Sequence, residues 1–146
     1  MNSKLFAAFA AVGMGILSLS QVQAAEMTMG QFEFENSCAT CHGESGKGDG
    51  PAAQFFLNGA APDLTVLQKN NDGVFPVQRI YEVIEGSRDT IVASHGSRAM
   101  PIWGQRYMRR TEEGAGFDPL TDEQKEIYVR TRILSLIEYL STIQVE

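Results

Sequence analysis

Residues 35–51 read ENSCATCHGESGKGDGP and contain both cysteines of the chain and one of its two histidines. Cys38, Cys41 and His42 form the pattern Cys-x-x-Cys-His, and a glycine-rich segment follows it directly. Paired cysteines at this spacing serve three kinds of chemistry: a redox dithiol, a zinc site, or covalent attachment of a haem. Each of these requires different residues in the rest of the chain.

Two of the three hypotheses find little support elsewhere in the sequence. A redox dithiol of the thioredoxin kind opens a helix after a buried strand, and residues 29–37, MGQFEFENS, do not make a convincing strand and turn. A zinc ion takes four ligands, or three and a water, and His95 is the only histidine or cysteine outside the motif. Both hypotheses are therefore disfavoured.

Covalent haem attachment is what the Cys-x-x-Cys-His pattern signals directly. Side chains three residues apart lie on the same side of a helical turn, so Cys38 and Cys41 present both sulfurs to one edge of a porphyrin. The adjacent His42 then binds the iron as its proximal ligand. The motif predicts one covalently bound haem c, with His42 as an axial ligand of its iron.

The N-terminal residues 1–24 have the pattern of a secretory signal peptide. Lys4 precedes an apolar run of about 15 residues, and Val22 and Ala24 are the small residues that signal peptidase prefers. The run is shorter than the roughly 20 residues that span a bilayer. We expect cleavage after Ala24, a single mature domain over residues 25–146 and a periplasmic location; an uncleaved membrane anchor is the alternative.

Length and charge restrict the classes of function further. The chain has 146 residues, which suits one domain, and its formal net charge is −6. No basic stripe is present, which argues against a nucleic-acid partner. No segment after the signal is apolar enough to cross a membrane. The glycine-rich segment lacks the residue order of a phosphate-binding loop.

The sixth position of the iron needs a second ligand, and Met100 is the preferred candidate. Pro101 biases Met100 out of the helical region, which suits a loop that presents its side chain to a ligand. Trp103 offers an indole that can pack on a porphyrin edge. His95 is the rival ligand. The other methionines of the mature chain are not expected to bind iron. Met27 and Met29 lie near the new N-terminus and are either frayed or packed on the first helix, and Met108 is expected to pack in the ordinary way.

Hydrophobic spacing predicts an all-α fold. Thr121 and Gln124 form a capping box at the start of a last helix, which carries one apolar stripe. A first helix over about residues 28–40 brings Gly30 to its inner face, where we expect it to meet the last helix near Leu136 and Tyr139. A middle helix is expected over about residues 76–85. No alternating apolar pattern of useful length predicts a strand.

These motifs together resemble class I cytochrome c, the small single-haem bacterial type, over about residues 30–140. CATCHG matches the attachment motif, and MPIWG resembles the Met loop of that family, with Met100 as distal ligand 58 residues after His42. Gly30 and Phe34 stand eight and four residues before Cys38, as in the first helix of the family. LIEYL, residues 136–140, resembles its last helix.

The resemblance implies a cytochrome c fold of about four to five helices around one haem. It also implies that the Pro62 carbonyl, in the APDL that follows the glycine-rich segment, accepts a hydrogen bond from the proximal His42. Residues 105–120 are longer than a minimal member needs, and the polar QRYMRR at their start, residues 105–110, predicts a short helix or a surface loop. Four side chains are weaker candidates for contacts with the haem propionates: Arg79, Tyr81, Arg88 and Trp103.

The expected function follows from iron with both axial positions filled. Such iron has no open site for oxygen or peroxide and exchanges single electrons. We expect a periplasmic electron carrier, not an enzyme, that accepts electrons from a dehydrogenase or quinol-oxidising complex and delivers them to an oxidase or reductase. The alternatives are a haem subunit of a dehydrogenase complex, and a gas- or peroxide-reactive haem protein in which Met100 is labile.

Overall fold

The computed structural model describes residues 26–55, 61–87, 100–113 and 119–145. Within these ranges the chain forms five α-helices and no strand, which confirms the predicted all-α fold. The helices are α1 (Met29–Ser37), α2 (Ala39–His42), α3 (Val77–Glu85), α4 (Trp103–Glu113) and α5 (Asp122–Thr142). Three 3-10 helices accompany them: Ala53–Phe55, Leu64–Val66 and Lys69–Asn71. The expected signal peptide, Arg88 and His95 lie outside the described residues.

The first predicted helix is divided in two by Cys38. Helix α1 begins after Thr28, whose hydroxyl accepts a hydrogen bond from the Gln31 amide at 3.1 Å. The chain leaves regular helix at Cys38, with φ −113° and ψ −38°, and turns directly into α2. The amides of Cys41 and His42 both donate to the Cys38 carbonyl, at 3.0 and 2.9 Å. The break therefore tightens the turn that carries the whole Cys-x-x-Cys-His motif.

Helix α1 crosses α5 at Gly30, and this crossing brings the two ends of the described chain together. A Cβ on Gly30 would clash with the Ser135 carbonyl oxygen and lie 2.9 Å from the Tyr139 Cβ. One turn later, the rings of Phe34 and Tyr139 are 5.2 Å apart between centroids. The predicted crossing near Leu136 and Tyr139 is confirmed, and the atom nearest to the added Cβ is the carbonyl oxygen of Ser135.

The core lies between α5 and the three longer helices that precede it. The predicted stripe of α5 is buried, and α3 and α4 add their own apolar side chains to the same cluster. Val77, at the first turn of α3, is 48% exposed and lies outside this cluster. The buried apolar residues of these three helices are Ile80, Ile84, Trp103, Tyr107, Val129, Ile133, Leu136, Ile137 and Leu140.

The N-terminus of α5 has the predicted capping box. The Thr121 hydroxyl accepts from the Gln124 amide at 3.3 Å, and the Gln124 side chain accepts from the Thr121 amide at 2.8 Å. Thr121→Ala should lower the free energy of unfolding by about 1 kcal/mol, because amides of the first turn lose their partner. Urea unfolding followed by circular dichroism measures the change.

Thr121→Ser is the matched control for this variant, because serine keeps the hydroxyl and ranks with threonine as a capping residue. It should unfold at nearly the wild-type urea concentration. Equal stability of the alanine and serine variants would contradict a capping role for the Thr121 hydroxyl.

No helix in the described ranges is both long and apolar enough to cross a bilayer.

Candidate cofactor-binding site

The two cysteines are free thiols held on one short turn. Cys38 is buried in the core cluster, and Cys41 is partly exposed. The pKa of the Cys38 thiol is raised to about 12. Burial is the main cause, and the nearby Glu33 carboxylate and Cys41 add to it. Burial also raises the pKa of Cys41. A redox dithiol works through a cysteine whose pKa is lowered, so these surroundings oppose a redox role and leave two neutral thiols for covalent attachment.

His42 ends α2 and is buried, with one ring nitrogen fixed by the backbone. Its Nδ1 lies 3.0 Å from the carbonyl oxygen of Pro62, twenty residues further along the chain. A carbonyl oxygen only accepts, so Nδ1–H donates and the tautomer places the lone pair on Nε2. Such a hydrogen bond orients an imidazole and raises its basicity as a metal ligand. The structure thus joins His42 and Pro62 in the way that the resemblance implied.

The glycine-rich segment is what brings the Pro62 carbonyl to His42. Gly48 has a φ of +85°, and a Cβ there would clash with the Ala61 carbonyl oxygen. The Gly48 amide donates to the His42 carbonyl at 2.7 Å. A turn whose backbone lies this close to another backbone segment favours glycine, which has no Cβ. The crowding at Gly48 therefore comes from the protein's own backbone.

The 3-10 helix Leu64–Val66 holds the backbone that follows the Pro62 carbonyl. The Asp63 carboxylate accepts from the Thr65 hydroxyl at 2.7 Å and from the Thr65 amide at 2.8 Å. These two hydrogen bonds lower the pKa of Asp63. The Leu64 amide donates to the Gly46 carbonyl at 2.7 Å, which ties this turn to the glycine-rich segment. The acceptor for His42 is thus held by a local hydrogen-bond network.

Met100 and Trp103 lie at the start of α4, against the same core as Cys38. Met100 is half-buried and packs on the cluster that contains Cys38 and Trp103. Trp103 is buried, and its ring lies 5.9 Å from the ring of Tyr107 between centroids. Of the weaker candidates for propionate contacts, Tyr81 packs on the core and Arg79 is exposed on α3.

The residues present fit a haem. Two neutral thiols lie three residues apart, an oriented imidazole follows them, and a thioether packs on the same core. In addition, the hydroxyl of Tyr107 is buried near the Glu33 carboxylate but forms no hydrogen bond of full geometry with any of the described residues. Burial, then the Glu33 carboxylate and Cys38, raises the pKa of this hydroxyl. An orphaned donor near the attachment cysteine suits a site in which a bound group supplies part of the surroundings.

Sequence reasoning missed an ion-paired carboxylate beside this site. Glu33 is fully buried on α1 and contacts Arg110 of α4 and Arg132 of α5. The available signal was its position: Gly30, Glu33 and Phe34 have the i, i+3, i+4 spacing of one helix face. A glutamate in an otherwise apolar stripe indicates a buried charge with partners elsewhere in the fold.

The described residues do not support the zinc hypothesis. Across the parts of the chain that are described, no group of three or more His, Cys, Asp and Glu side chains is placed to hold a metal ion.

Comparison with known proteins identifies one family. A family model described as Cytochrome c matches residues 28–126, from just before α1 to the first turns of α5. No curated protein and no solved structure matches the chain. The matched residues include the Cys-x-x-Cys-His turn, the Pro62 carbonyl and Met100.

Proposed function

The chain belongs to the cytochrome c family of haem-binding electron-transfer proteins, and from this premise we propose that it is a periplasmic one-electron carrier of the class I, single-haem type. Cys38 and Cys41 hold one haem c through thioether bonds, and His42 and Met100 are the axial ligands of its iron. It accepts electrons from a dehydrogenase or quinol-oxidising complex and delivers them to an oxidase or reductase.

The observation that carries this proposal is the hydrogen bond from His42 Nδ1 to the Pro62 carbonyl, at 3.0 Å. It fixes the tautomer whose Nε2 is basic, and it keeps the ring in one orientation. Because the acceptor belongs to a backbone held by Gly48 and Asp63, the ring does not need to reorient between oxidation states. A ligand that stays in place favours rapid electron transfer.

Met100 is the second residue that supports the same function. Its side chain packs on the core that contains Cys38, and Trp103, three residues later, anchors the start of α4 in that core. A haem with imidazole and thioether ligands exchanges one electron between Fe(II) and Fe(III) and has no open position for oxygen or peroxide. A thioether ligand favours the reduced state, and a buried position of the haem against this core would act in the same direction.

An optical spectrum tests the carrier against a gas- or peroxide-reactive haem protein. The oxidised protein should show the weak near-infrared charge-transfer band of methionine-bound iron, and the reduced protein should not bind carbon monoxide at neutral pH. Absence of the band together with carbon monoxide binding would contradict the carrier and favour the reactive alternative.

Purification from the native periplasm tests the proposed exchange of partners. A free carrier should elute as a small protein and be reduced by a separately purified dehydrogenase or quinol-oxidising complex. Stable co-elution with one dehydrogenase would contradict the free carrier and identify a dedicated subunit.

Replacing the cysteines tests covalent attachment. Cys38→Ala and Cys41→Ala should each leave haem held by a single thioether, or none, because each thiol forms one bond to the porphyrin. Any haem in the Cys38→Ala/Cys41→Ala double variant should be lost on denaturation. A haem-stained denaturing gel distinguishes the variants, and stain retained by the double variant would contradict attachment through these sulfurs.

A further inference from the structure

Helix α1 buries a charge close to the haem attachment turn. Glu33 lies five residues before Cys38 and is 0% exposed. Each carboxylate oxygen faces a different arginine: Oε1 is 2.5 Å from Arg132 Nη1, and Oε2 is 3.0 Å from Arg110 Nη1. A buried ion pair is often no more stabilising than apolar side chains of the same volume. Stability alone is therefore a weak reason for a glutamate at this position.

The three charged side chains of this ion-pair cluster, Glu33, Arg110 and Arg132, differ in solvent exposure. The side chain of Glu33 is 0% exposed, whereas that of Arg132 is 23% exposed and that of Arg110 is 39% exposed. Water and salt screen exposed charges more than buried ones. The carboxylate is consequently the member of the trio whose charge acts most strongly on the interior.

The Glu33 carboxylate lies next to the buried cluster that contains Cys38. Arg110, which binds it, also lies over the ring of Tyr107, 5.2 Å from the centroid, and that ring is 5.9 Å from the ring of Trp103. The Glu33 carboxylate also contributes, after burial, to the raised pKa of the Tyr107 hydroxyl. Cys38 and Tyr107 belong to one buried cluster with Trp103. A charge that disfavours a second negative charge in this cluster equally favours a positive one.

We propose that Glu33 lowers the reduction potential of the haem, because its buried carboxylate stabilises the oxidised state, which carries one more positive charge than the reduced state, and that Arg132 opposes it. This inference rests on the proposed function, since it requires a bound haem. Glu33 acts through the field inside the core and need not contact the haem. It thereby offsets part of the rise in potential that Met100 and the apolar core produce.

Two variants that break the same ion pair test this proposal, because they change the charge in opposite directions. Glu33→Gln removes the negative charge, and Arg132→Gln removes the positive charge. In the haem-loaded protein, Glu33→Gln should raise the equilibrium constant for reduction about tenfold, or about 59 mV for one electron. Arg132→Gln should lower it by a smaller factor. Potentiometric titration followed optically measures both.

Glu35→Gln is the matched control. Glu35 is two residues away on the same helix and is exposed, and it accepts a hydrogen bond from the Gln31 side chain at 2.8 Å. Because its charge is screened by solvent, this variant should change the equilibrium constant by less than about twofold. A shift as large as that of Glu33→Gln would overturn the assignment to the buried carboxylate.

The sign of the shift in reduction potential distinguishes an effect of charge from a loosening of the contacts between the helices. If the ion pair served packing alone, both variants would move the potential the same way, or neither would move it, and either result overturns the proposal.

If Glu33→Gln yields no haem protein, Arg132→Gln is compared with Arg132→Lys, which keeps the charge. A lower potential in the glutamine variant supports the proposal, and equal potentials overturn it. A chain that binds no haem at all contradicts the proposed function instead.

Discussion

The Met100→Ala variant is expected to keep its haem but to lose about 0.2 V of reduction potential, a part of the roughly 0.8 V range that axial ligands cover. A thioether ligand favours Fe(II), and its loss admits water or another exogenous ligand to the sixth position. Since attachment depends on Cys38 and Cys41, the haem itself should remain. Potentiometric titration and carbon monoxide binding measure the two consequences.

Met108→Ala is the control for this result. Met108 lies on α4 and, like Met100, is half-buried and packs on the core cluster. Its replacement removes a similar volume without removing a proposed ligand, so the near-infrared band and the closed sixth site should persist. An unchanged potential in Met100→Ala, or equal shifts in both variants, would refute ligation by Met100.

Gly30→Ala is expected to give the largest loss of stability, about 3 kcal/mol or more. The added methyl group would clash with the Ser135 carbonyl oxygen and approach the Tyr139 Cβ to 2.9 Å, so α1 and α5 must move apart. Alanine is otherwise the better helix former by about 0.5–1 kcal/mol. The loss therefore measures the crossing of the two helices. Urea unfolding followed by circular dichroism at 222 nm, a helix signal, gives the value.

Gly73→Ala separates crowding from backbone strain. Gly73 has a φ of +80° and no atom within 4 Å of an added Cβ, so its replacement strains the backbone without creating a clash. We expect a loss of about 1–2 kcal/mol. A Gly30→Ala variant no less stable than Gly73→Ala would contradict the close crossing.

The helices were predictable where their signals are local. Thr121 and Gln124 lie within one turn of each other, and the apolar stripe of α5 repeats at helical spacing, so neighbouring residues suffice to define it. The break at Cys38 was not predicted, because Ala39 to His42 continue a helical pattern and the turn is set by contacts beyond it. The helical start of residues 105–120 was among the alternatives, but burial of Tyr107 in the core was not predicted.

The residues of the site were likewise predictable where they are close together in the sequence. The residues of the Cys-x-x-Cys-His motif are adjacent in sequence, so their common turn follows from spacing. The hydrogen bond from His42 to Pro62 crosses twenty residues and was expected only through resemblance to a family. The partners of Glu33 lie 77 and 99 residues away, at Arg110 and Arg132. No pattern within one helix identifies partners at such separations.

Haem content of the purified, denatured polypeptide is the most direct test of the covalent site at Cys38 and Cys41. The protein should be matured in a host able to install haem, unfolded in acid and analysed by mass spectrometry and by its absorption spectrum. We expect a coloured chain whose mass exceeds that of the mature polypeptide by one haem. A colourless chain with two unmodified thiols would contradict the proposed electron carrier.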